Sequence, residues 1–468
     1  MLLDICAAKW RSGMKCADIV PQNDQNISGK IVSMSQLTDI GEEIKLKARA
    51  IIPILRRNAN QCDSIGKLND EVLRAMDDAG IWKMAALKEF GGYGPLPGRD
   101  IFEIIIEIGR GNASAAWCAI ISLLAAEQPP KMFSDEVCRE LFGSDHIGPR
   151  FSGASFNVSY AAGRARRVDD GYMIKGSWAF ASNVRISEWQ MAGATVYDDR
   201  GEPRERIISY IPRNKFKIAD DWQVEGMKAT SSNTAYTLEE IFVPERLVHT
   251  FDNESDRAAK PDRSSGAAAL ARGRKSSSVA GANMPDNTIL AGLCAVAVGA
   301  AYGALDVFKA RAAKRKPLGQ IYPTILSMPT THVTMAKVRT ITSLCEAAMH
   351  RIFDMEEGVI EGLRGSLDDA ERETGPADVA YTACYTVNAL SAAIDELQKL
   401  IGASSASVTD DVGRFARDIK VESLHGIMRL DWMSERYGAR LAGMPKVEVN
   451  AGTGDTKPLT DLVELVDA

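Results

Sequence analysis

The sequence lacks the features by which several protein classes are recognised. Among its 468 residues are only five histidines and eight cysteines, and no two cysteines form a C-x-x-C pair. A Cys/His zinc cluster depends on such spacing, so we expect no metal site. The first 33 residues lack the apolar stretch of a secretory signal peptide. Scattered thiols are typical of reduced cysteines, which predicts a cytoplasmic protein.

Positive charge is not in excess either. The chain has 56 Lys and Arg against 62 Asp and Glu, a net charge of −6, and no basic stripe. Such a surface repels nucleic-acid phosphates, so we expect no nucleic-acid partner. Hydrophobic residues make up 45% of the chain. Because single cores rarely grow beyond ~250–300 residues, the length indicates about two or three domains.

Long hydrophobic runs are scarce, and the exception lies at residues 288–308. This stretch of 21 residues carries one charge, but its apolarity comes mostly from Ala, Gly and Val, and the charged sequence KARAAKRK follows it. A membrane span and a helix buried inside a bundle both fit the pattern. The composition favours the buried helix, so we expect no membrane association.

The hydrophobic periodicity changes near residue 150. After an extension at 1–33 that we expect to be flexible, residues 34–150 have helical spacing and predict an N-terminal helical domain. A period of two then predicts a β domain at 151–251. In it, Arg164–Val168 and Tyr172–Trp178 flank an Asp-Asp-Gly turn typical of a hairpin. The other predicted strands are 189–197, 206–212, 216–219 and 235–243.

The second half of the chain is predicted to be helical after one break. Residues 252–286 are rich in Ser, Ala, Gly and Arg without an aromatic residue, which indicates a flexible loop or linker. Residues 287–445 predict a C-terminal four-helix bundle, and 446–468 form a tail without clear period. The fold class is therefore α+β and mostly α. The four helical patterns cover 287–316, 325–357, 377–402 and 411–440.

Several motifs resemble the acyl-CoA dehydrogenase superfamily, which has the same order of helical domain, β barrel and four-helix bundle. Residues 222–233 (WQVEGMKATSSN), followed by 240–245 (EIFVPE), resemble its "W…G…ra(T/S)xS…v…VP" segment. Residues 314–319 (KRKPLG) resemble its "RxxFG" flavin-phosphate motif, with Leu318 in place of Phe. Residues 176–183 (GSWAFASN) stand where these proteins place the flavin ring. The resemblance implies that the β domain is a barrel.

One segment indicates a particular branch. Residues 414–425 (RFARDIKVESLH) resemble the "RxxRDxxxxxxH" signature of two-component flavin monooxygenases, such as the oxygenase component of p-hydroxyphenylacetate hydroxylase. Acyl-CoA dehydrogenases instead carry a glutamate base, often in a "YEG" segment, and Glu422 has no such context here. The resemblance covers roughly residues 40–443.

The branch implies an enzyme with two partners, a reductase and a substrate. Because no segment has the GxGxxG spacing of a nicotinamide-binding loop, reduced FMN or FAD would come from a separate flavin reductase. The reduced flavin would react with O2 to a C4a-hydroperoxyflavin, which hydroxylates a phenolic or other electron-rich aromatic substrate. The resemblance also implies a homotetramer.

The resemblance assigns roles to individual residues. Ser182 would hydrogen-bond near flavin N5, Phe180 would support the flavin ring, and His425 would deprotonate the substrate, because imidazole has a pKa of ~6.5. Asp418 would pair with Arg414 or Arg417, in a structural role. The further candidates are Trp117 for substrate, Thr230 and Ser232 for flavin, and Arg315 for the flavin phosphate.

Each assignment has a structural alternative, and the function has rivals. Ser182 could cap its own turn, and Arg315 could be a solvated cation. The rival functions are amine N-oxygenation on the same fold, as in the nitrososynthases, an acyl-CoA dehydrogenase-type flavoenzyme, and a scaffold without cofactor. A dehydrogenase would hold oxidised FAD tightly, a monooxygenase would hold reduced flavin tightly, and a scaffold would bind neither.

Overall fold

The computed structural model describes residues 37–84, 86–94, 96–143, 145–153, 162–251, 287–356 and 369–443. The predicted N-terminal extension, the predicted loop at 252–286 and the predicted tail lie outside the described residues.

The N-terminal part is helical, as predicted. Thr38 begins the first helix, because its side chain accepts a hydrogen bond from the amide of Gly41. The predicted division at Pro53 is confirmed: Pro53 stands in the first turn of the second helix, where its missing N–H breaks no hydrogen bond. The helices are α1 (Asp39–Ala50), α2 (Ile52–Ile65), α3 (Asp70–Asp78), α4 (Gly98–Gly111), α5 (Ala113–Ala126), α6 (Pro129–Met132) and α7 (Asp135–Phe142).

The central strands form one mixed sheet of nine strands. They are β1 (Phe151–Ser152), β2 (Gly163–Val168), β3 (Gly171–Trp178), β4 (Trp189–Tyr197), β5 (Pro203–Pro212), β6 (Lys217–Ile218), β7 (Ala235–Tyr236), β8 (Ile241–Pro244) and β9 (Val248–Phe251). The hairpin is confirmed, with Val168 opposite Gly171 across the turn.

The sheet is open among the described residues. Its hydrogen-bonded order is β6-β7-β3-β2-β4-β5-β9, with β1 on β4 and β8 on β3. β4 runs parallel to β1 and β2 and antiparallel to β5. No pairing joins β6 to β9 among the strands described, so the predicted barrel is not confirmed. The predicted strand 235–243 is two strands, because β7 pairs with the end of β3 and β8 with its beginning.

The C-terminal part contains long packed helices. The helices are α8 (Asn287–Ala312), α9 (Pro329–Glu356), α10 (Asp369–Ile401), α11 (Asp411–Ser423) and α12 (Leu430–Leu441). The prediction of one continuous helix over 411–440 is wrong. His425 has an extended backbone (φ −60°, ψ 140°), and a 3-10 turn at Gly426–Met428 follows. Glycine favours such a break, and it places His425 beyond the end of α11 instead of on its face.

Helix α8 contains the stretch that had two interpretations. By length and composition Leu290–Ala312 is apolar enough to cross a membrane, yet 83% of its apolar window is buried inside the protein. Small residues permit close packing against α4, since a Cβ on Gly299 would lie 2.3 Å from the carbonyl oxygen of Ile106. The interpretation as a buried bundle helix is confirmed.

Two hydrophobic cores result. One joins the N-terminal helices α1–α5 to the C-terminal helices, and the other lies between the sheet and α7. The loops after β3 and β6 reach the helical core, where Met227 and Ala229 are buried with α5. Loops from the sheet thus meet α5 and the end of α11, at the junction of the two cores.

Candidate active site

A chain of buried hydroxyl groups connects three of the predicted residues with Trp117. The Trp117 Nε1 donates to the Ser182 Oγ at 3.2 Å. The Ser182 Oγ lies 2.8 Å from the Ser232 Oγ, which lies 2.8 Å from the Thr230 Oγ1. Thr230 in turn donates to the Met227 carbonyl at 2.8 Å. These side chains come from α5 and from two loops of the sheet, and tertiary packing alone brings them together.

His425 lies against the same chain. Its ring packs edge-on against Trp117, with ring centroids 5.4 Å apart. The imidazole is reachable by solvent, although the surrounding protein lowers its pKa by desolvation. No residue that the structure describes bonds to its ring nitrogens, so a neutral imidazole is available to a ligand.

The two loops of the site have a strained backbone. Five described residues other than glycine have a left-handed φ, and Asp170 is in the hairpin turn. The other four are Phe180 (56°), Asn183 (72°), Met227 (54°) and Ser231 (54°). Such conformations are costly for residues with a side chain and concentrate at functional sites. The strain supports the assignment of these loops to the site.

Asp418 holds one of these loops in place. Its Oδ1 accepts a hydrogen bond of 2.6 Å from the Met227 amide, and burial raises the pKa of this carboxyl to about 7, with a further contribution from Asp63. The predicted pairing with arginine is wrong. Arg414 donates to Asn60 and Asp411, and Arg417 donates to the Val408 carbonyl. The reason is that Asp418 faces the sheet loops across the core.

Glu422, one turn after Asp418, is a second buried acid. Only 1% of it is exposed, and neither carboxyl oxygen has a hydrogen-bond partner among the described groups. Burial, and then the nearby Asp418, raise the pKa of Glu422 well above its usual range. Burial of this kind disfavours the ionised carboxylate, which is the form that acts as a base.

Comparisons with known proteins show what the chain is similar to. Residues 291–430 match the family model "Acyl-CoA dehydrogenase, C-terminal domain". The flavin-dependent monooxygenase, oxygenase subunit HsaA, of Rhodococcus jostii (strain RHA1) is 27% identical over 57% of this chain and 64% of that protein. The FADH(2)-dependent resorcinol hydroxylase, oxygenase component, of Rhizobium sp. (strain MTP-10005) is 25% identical over 85% of this chain and 93% of that protein.

Residues 291–430 therefore resemble the C-terminal domain of acyl-CoA dehydrogenases, as the sequence motifs predicted. The relatives of this chain lie in the branch of two-component flavin monooxygenases, which confirms the branch indicated by residues 414–425. The chain spans between about half and two thirds of the HsaA proteins it matches, 51% and 64% of their lengths. Among solved structures, XiaF from Streptomyces sp. in complex with FADH2 and glycerol has a TM-score of 0.70 at 20% identity. That match covers 88% of this chain and 97% of that chain, and it shows a shared fold.

A flavin fits the residues that the chain presents beside the hydroxyl chain. Phe180, two positions before Ser182, is 67% exposed and packs edge-on against Trp222 at 6.1 Å. The side-chain oxygens of Asn183 and Asn233 are buried without a hydrogen-bond partner among the described groups. An exposed aromatic ring beside buried polar groups suits a flat, polar-edged cofactor. The role of Phe180 stays a prediction.

Arg315 lies outside the hydrogen-bond network around Ser182. Its guanidinium donates to Ser404, and its carbonyl accepts from the Ile325 amide. None of the hydrogen bonds described for Arg315 involves the hydroxyl chain. Arg311 lies close enough to raise the local positive charge, and its pKa is lowered by burial and by Arg315. The assignment of Arg315 to a phosphate stays a prediction.

Two residues of this site have larger roles than the sequence indicated. Asp418 was expected to be structural through an arginine, yet it binds the strained Met227 directly. Met227 received no role at all. The signal in the sequence is the glycine at position 226, directly before Met227. In the structure a Cβ on Gly226 would lie 2.3 Å from the Arg417 carbonyl oxygen, so α11 passes directly beside this loop.

Proposed function

We propose that the chain is the oxygenase component of a two-component monooxygenase. It would take reduced FMN or FAD from a separate reductase and hydroxylate a phenolic or other electron-rich aromatic compound. When bound, reduced flavin supplies two electrons and two protons, so that one atom of O2 replaces a ring hydrogen and the other leaves as water. The names of the relatives, oxygenase components that include a resorcinol hydroxylase, support this class of reaction.

The observation that carries the proposal is the contact between Trp117 and two different groups. Its indole N–H donates to Ser182, and its ring packs against His425. One rigid side chain therefore lies between a hydroxyl group and an imidazole. A hydroxyl on one side and a proton acceptor on the other suit a reaction between a bound cofactor and a phenol.

His425 would accept the proton of the substrate hydroxyl. Desolvation lowers its pKa, so the ring is neutral and free to accept a proton at pH 7. Loss of this proton makes a phenol electron-rich and therefore a better target for an electrophilic oxygen atom. Trp117, 7% exposed, would hold the imidazole and form one wall of the substrate pocket.

Ser182, Ser232 and Thr230 would contact the flavin ring, with Phe180 as its platform. Ser182 is 6% exposed and stands at the end of the hydroxyl chain nearest Trp117. A protein donor or acceptor held rigidly at this position binds the ring without reorganisation. Arg315 and the neighbouring cations would bind the flavin phosphate.

The dehydrogenase alternative is disfavoured by Glu422. A dehydrogenase base must be an ionised carboxylate that reaches the substrate. Glu422 is buried away from any ligand, and the burial that raises its pKa disfavours its ionised form.

We also infer a homotetramer in a reducing, cytoplasmic compartment. Large apolar side chains are exposed on three helices of the C-terminal part: Val333 (69%), Leu344 (65%), Tyr385 (55%) and Leu441 (65%). Exposed apolar groups of this kind support burial between subunits. The six cysteines in the described part of the chain are free and buried, as expected for reduced thiols. Light scattering of the purified protein tests the tetramer.

The experiment is a single turnover with isotopically labelled oxygen. The protein is loaded anaerobically with photoreduced FMN or FAD, mixed with ¹⁸O₂ and a panel of phenols, and analysed for hydroxylated product and H2O2. We expect one ¹⁸O atom in the product of at least one phenol. The His332→Gln variant, altered at an exposed histidine that bonds to the Leu326 carbonyl, serves as the matched control for His425 variants.

Three outcomes would contradict the proposal. Quantitative H2O2 with every phenol, at the rate of free flavin, would exclude oxygenation of this substrate class. Labelled oxygen on an amine but on no phenol would favour N-oxygenation instead. Bleaching of bound oxidised FAD by an acyl-CoA would favour the dehydrogenase.

A further inference from the structure

The directions of the hydrogen bonds in the hydroxyl chain follow from the groups at its two ends. The Trp117 N–H can only donate, so the Ser182 Oγ accepts from it. At the other end a carbonyl can only accept, so Thr230 donates to Met227. Because each hydroxyl has one proton, Ser232 must donate to Thr230, and Ser182 must donate to Ser232. In this inward orientation the Ser182 proton points into the protein.

The chain has a second complete orientation. If Thr230 turns its proton to Ser232, and Ser232 turns its proton to Ser182, the Ser182 proton points outward. The Met227 carbonyl does not become unpaired, because Trp222 Nε1 donates to it at 3.0 Å and the Thr230 amide at 3.2 Å. Both hydroxyl–hydroxyl contacts still contain one proton, and only the 2.8 Å contact between the Thr230 Oγ1 and the Met227 carbonyl oxygen loses its proton. The outward orientation therefore needs an acceptor for the Ser182 proton whose hydrogen bond offsets the one that Thr230 gives up.

We propose that Ser232 and Thr230 form a reversible hydroxyl relay that switches Ser182 between accepting and donating a hydrogen bond. The proposal rests on the proposed function, which places flavin beside Ser182. Reduced flavin has an N–H at ring positions where oxidised flavin has a lone pair. The inward orientation lets Ser182 accept from such an N–H, and the outward orientation lets it donate to the lone pair. Ser232 and Thr230 are positioning residues, which act through Ser182.

The relay predicts how two substitutions change flavin selectivity. In Ser232→Ala the inward orientation loses its acceptor, so the Ser182 proton points outward and favours oxidised flavin. We expect the ratio Kd(oxidised)/Kd(reduced) to fall by about five- to tenfold, the value of one hydrogen bond. Thr230→Val removes the acceptor for the Ser232 proton and should shift the ratio in the same direction. Thr230→Ser keeps the hydroxyl and should leave the ratio unchanged.

The measurement is equilibrium binding of FMN and FAD, with oxidised flavin followed by fluorescence and photoreduced flavin by anaerobic ultrafiltration. Ser209→Ala is the matched control, because Ser209 is a buried serine that donates to the Ala192 carbonyl in the sheet. A double-mutant cycle adds Ser182→Ala: once Ser182 is absent, Ser232→Ala should no longer change the ratio. Circular dichroism verifies that each variant is folded.

The outcomes separate the relay from the proposed function. A lower ratio in Ser232→Ala and Thr230→Val, restored in Thr230→Ser, supports the relay. An equal loss of affinity for both flavin forms would assign Ser232 a purely structural role and overturn the relay alone. An effect of Ser232→Ala that persists without Ser182 would also overturn it. Wild-type protein that binds neither flavin form would overturn the proposed function and the relay together.

Discussion

Two polar clusters of this protein differ in whether their acidic side chains are paired with cations. In the paired cluster, on α1, α4 and α9, Glu103 accepts from Lys45 at 2.7 Å and lies 2.9 Å from the His350 Nε2. Although burial opposes it, these partners lower the pKa of Glu103 to about 2. In the site around Trp117 the contacts are between neutral hydroxyls, and the acids Asp418 and Glu422 have no cation bonded to them among the described contacts.

The pairing of acids with cations distinguishes a polar cluster that stabilises the fold from one that can serve a functional site. A carboxylate that is paired with a lysine and a histidine contributes to the stability of the fold, and neither of its oxygens is free for a ligand. Glu103, Glu346 and His350 also place potential metal ligands within 4.8 Å of one another, but the Lys45 ammonium already occupies Glu103. The site around Trp117 instead combines a strained backbone, unmatched acids and a free imidazole, features that concentrate where proteins bind and react.

The largest expected effect comes from removing the imidazole. His425→Ala should reduce the rate of phenol hydroxylation by about 10²- to 10⁴-fold, the usual contribution of a general base, without weakening flavin binding. In the wild type the rate should be constant above pH ~6.5 and fall as the pH drops through the lowered pKa of His425, because the protonated ring cannot accept a proton. Single-turnover product analysis over pH checks both. A loss below tenfold would exclude His425 as the base.

The paired cluster should respond through stability alone. Glu103→Gln should lower the free energy of unfolding by about 2–3 kcal/mol at pH 7 and leave hydroxylation unchanged. Because the folded pKa of Glu103 lies below its ordinary value, this contribution is present above pH ~4.5 and is lost as pH falls toward 2. Urea unfolding of the wild type and the Glu103→Gln variant should show a smaller difference in the free energy of unfolding at pH 3 than at pH 7. A Glu103→Gln variant that keeps its stability but loses hydroxylation would contradict this prediction and give Glu103 a functional role.

Ser182→Ala should change how reduced flavin is used. Loss of one hydrogen bond, worth ~1 kcal/mol, should lower the ratio of hydroxylated product to H2O2 about five- to tenfold. Quantifying both products in single turnovers provides the ratio, with Ser209→Ala as control. An unchanged ratio would remove Ser182 from the reaction.

The smallest expected effect is that of Asp418→Asn. The raised pKa of Asp418 means that the folded protein binds its proton more tightly than the unfolded chain, so stability should fall as pH rises from ~4 toward 7. Asparagine still offers an oxygen to the Met227 amide and removes the buried charge. We expect Asp418→Asn to raise the free energy of unfolding by about 1 kcal/mol at pH 8 and to leave it unchanged at pH 4. Thermal unfolding at the two values measures it, and equal gains at both would contradict the assignment.

Local chemistry made much of the fold predictable. β4 begins and ends at the predicted residues, because alternation and flanking polar turns define a strand without help from distant groups. Pro53 divides α1 from α2 for a reason contained in its own ring. The sequence did not predict the break after α11, because Ser423, Leu424 and His425 continue a helical pattern, whereas the structure has an extended backbone at His425.

The sequence by itself determined the types of residue available to the site and the elements that carry them. Tertiary structure decided which of them meet. Ser182 contacts residues 65 positions before and 50 positions after it, and Asp418 binds an amide 191 positions away. No local pattern contains such contacts, because the direction of each hydroxyl proton, the strain at Met227 and the pKa of each buried acid depend on neighbours that only the packed core supplies.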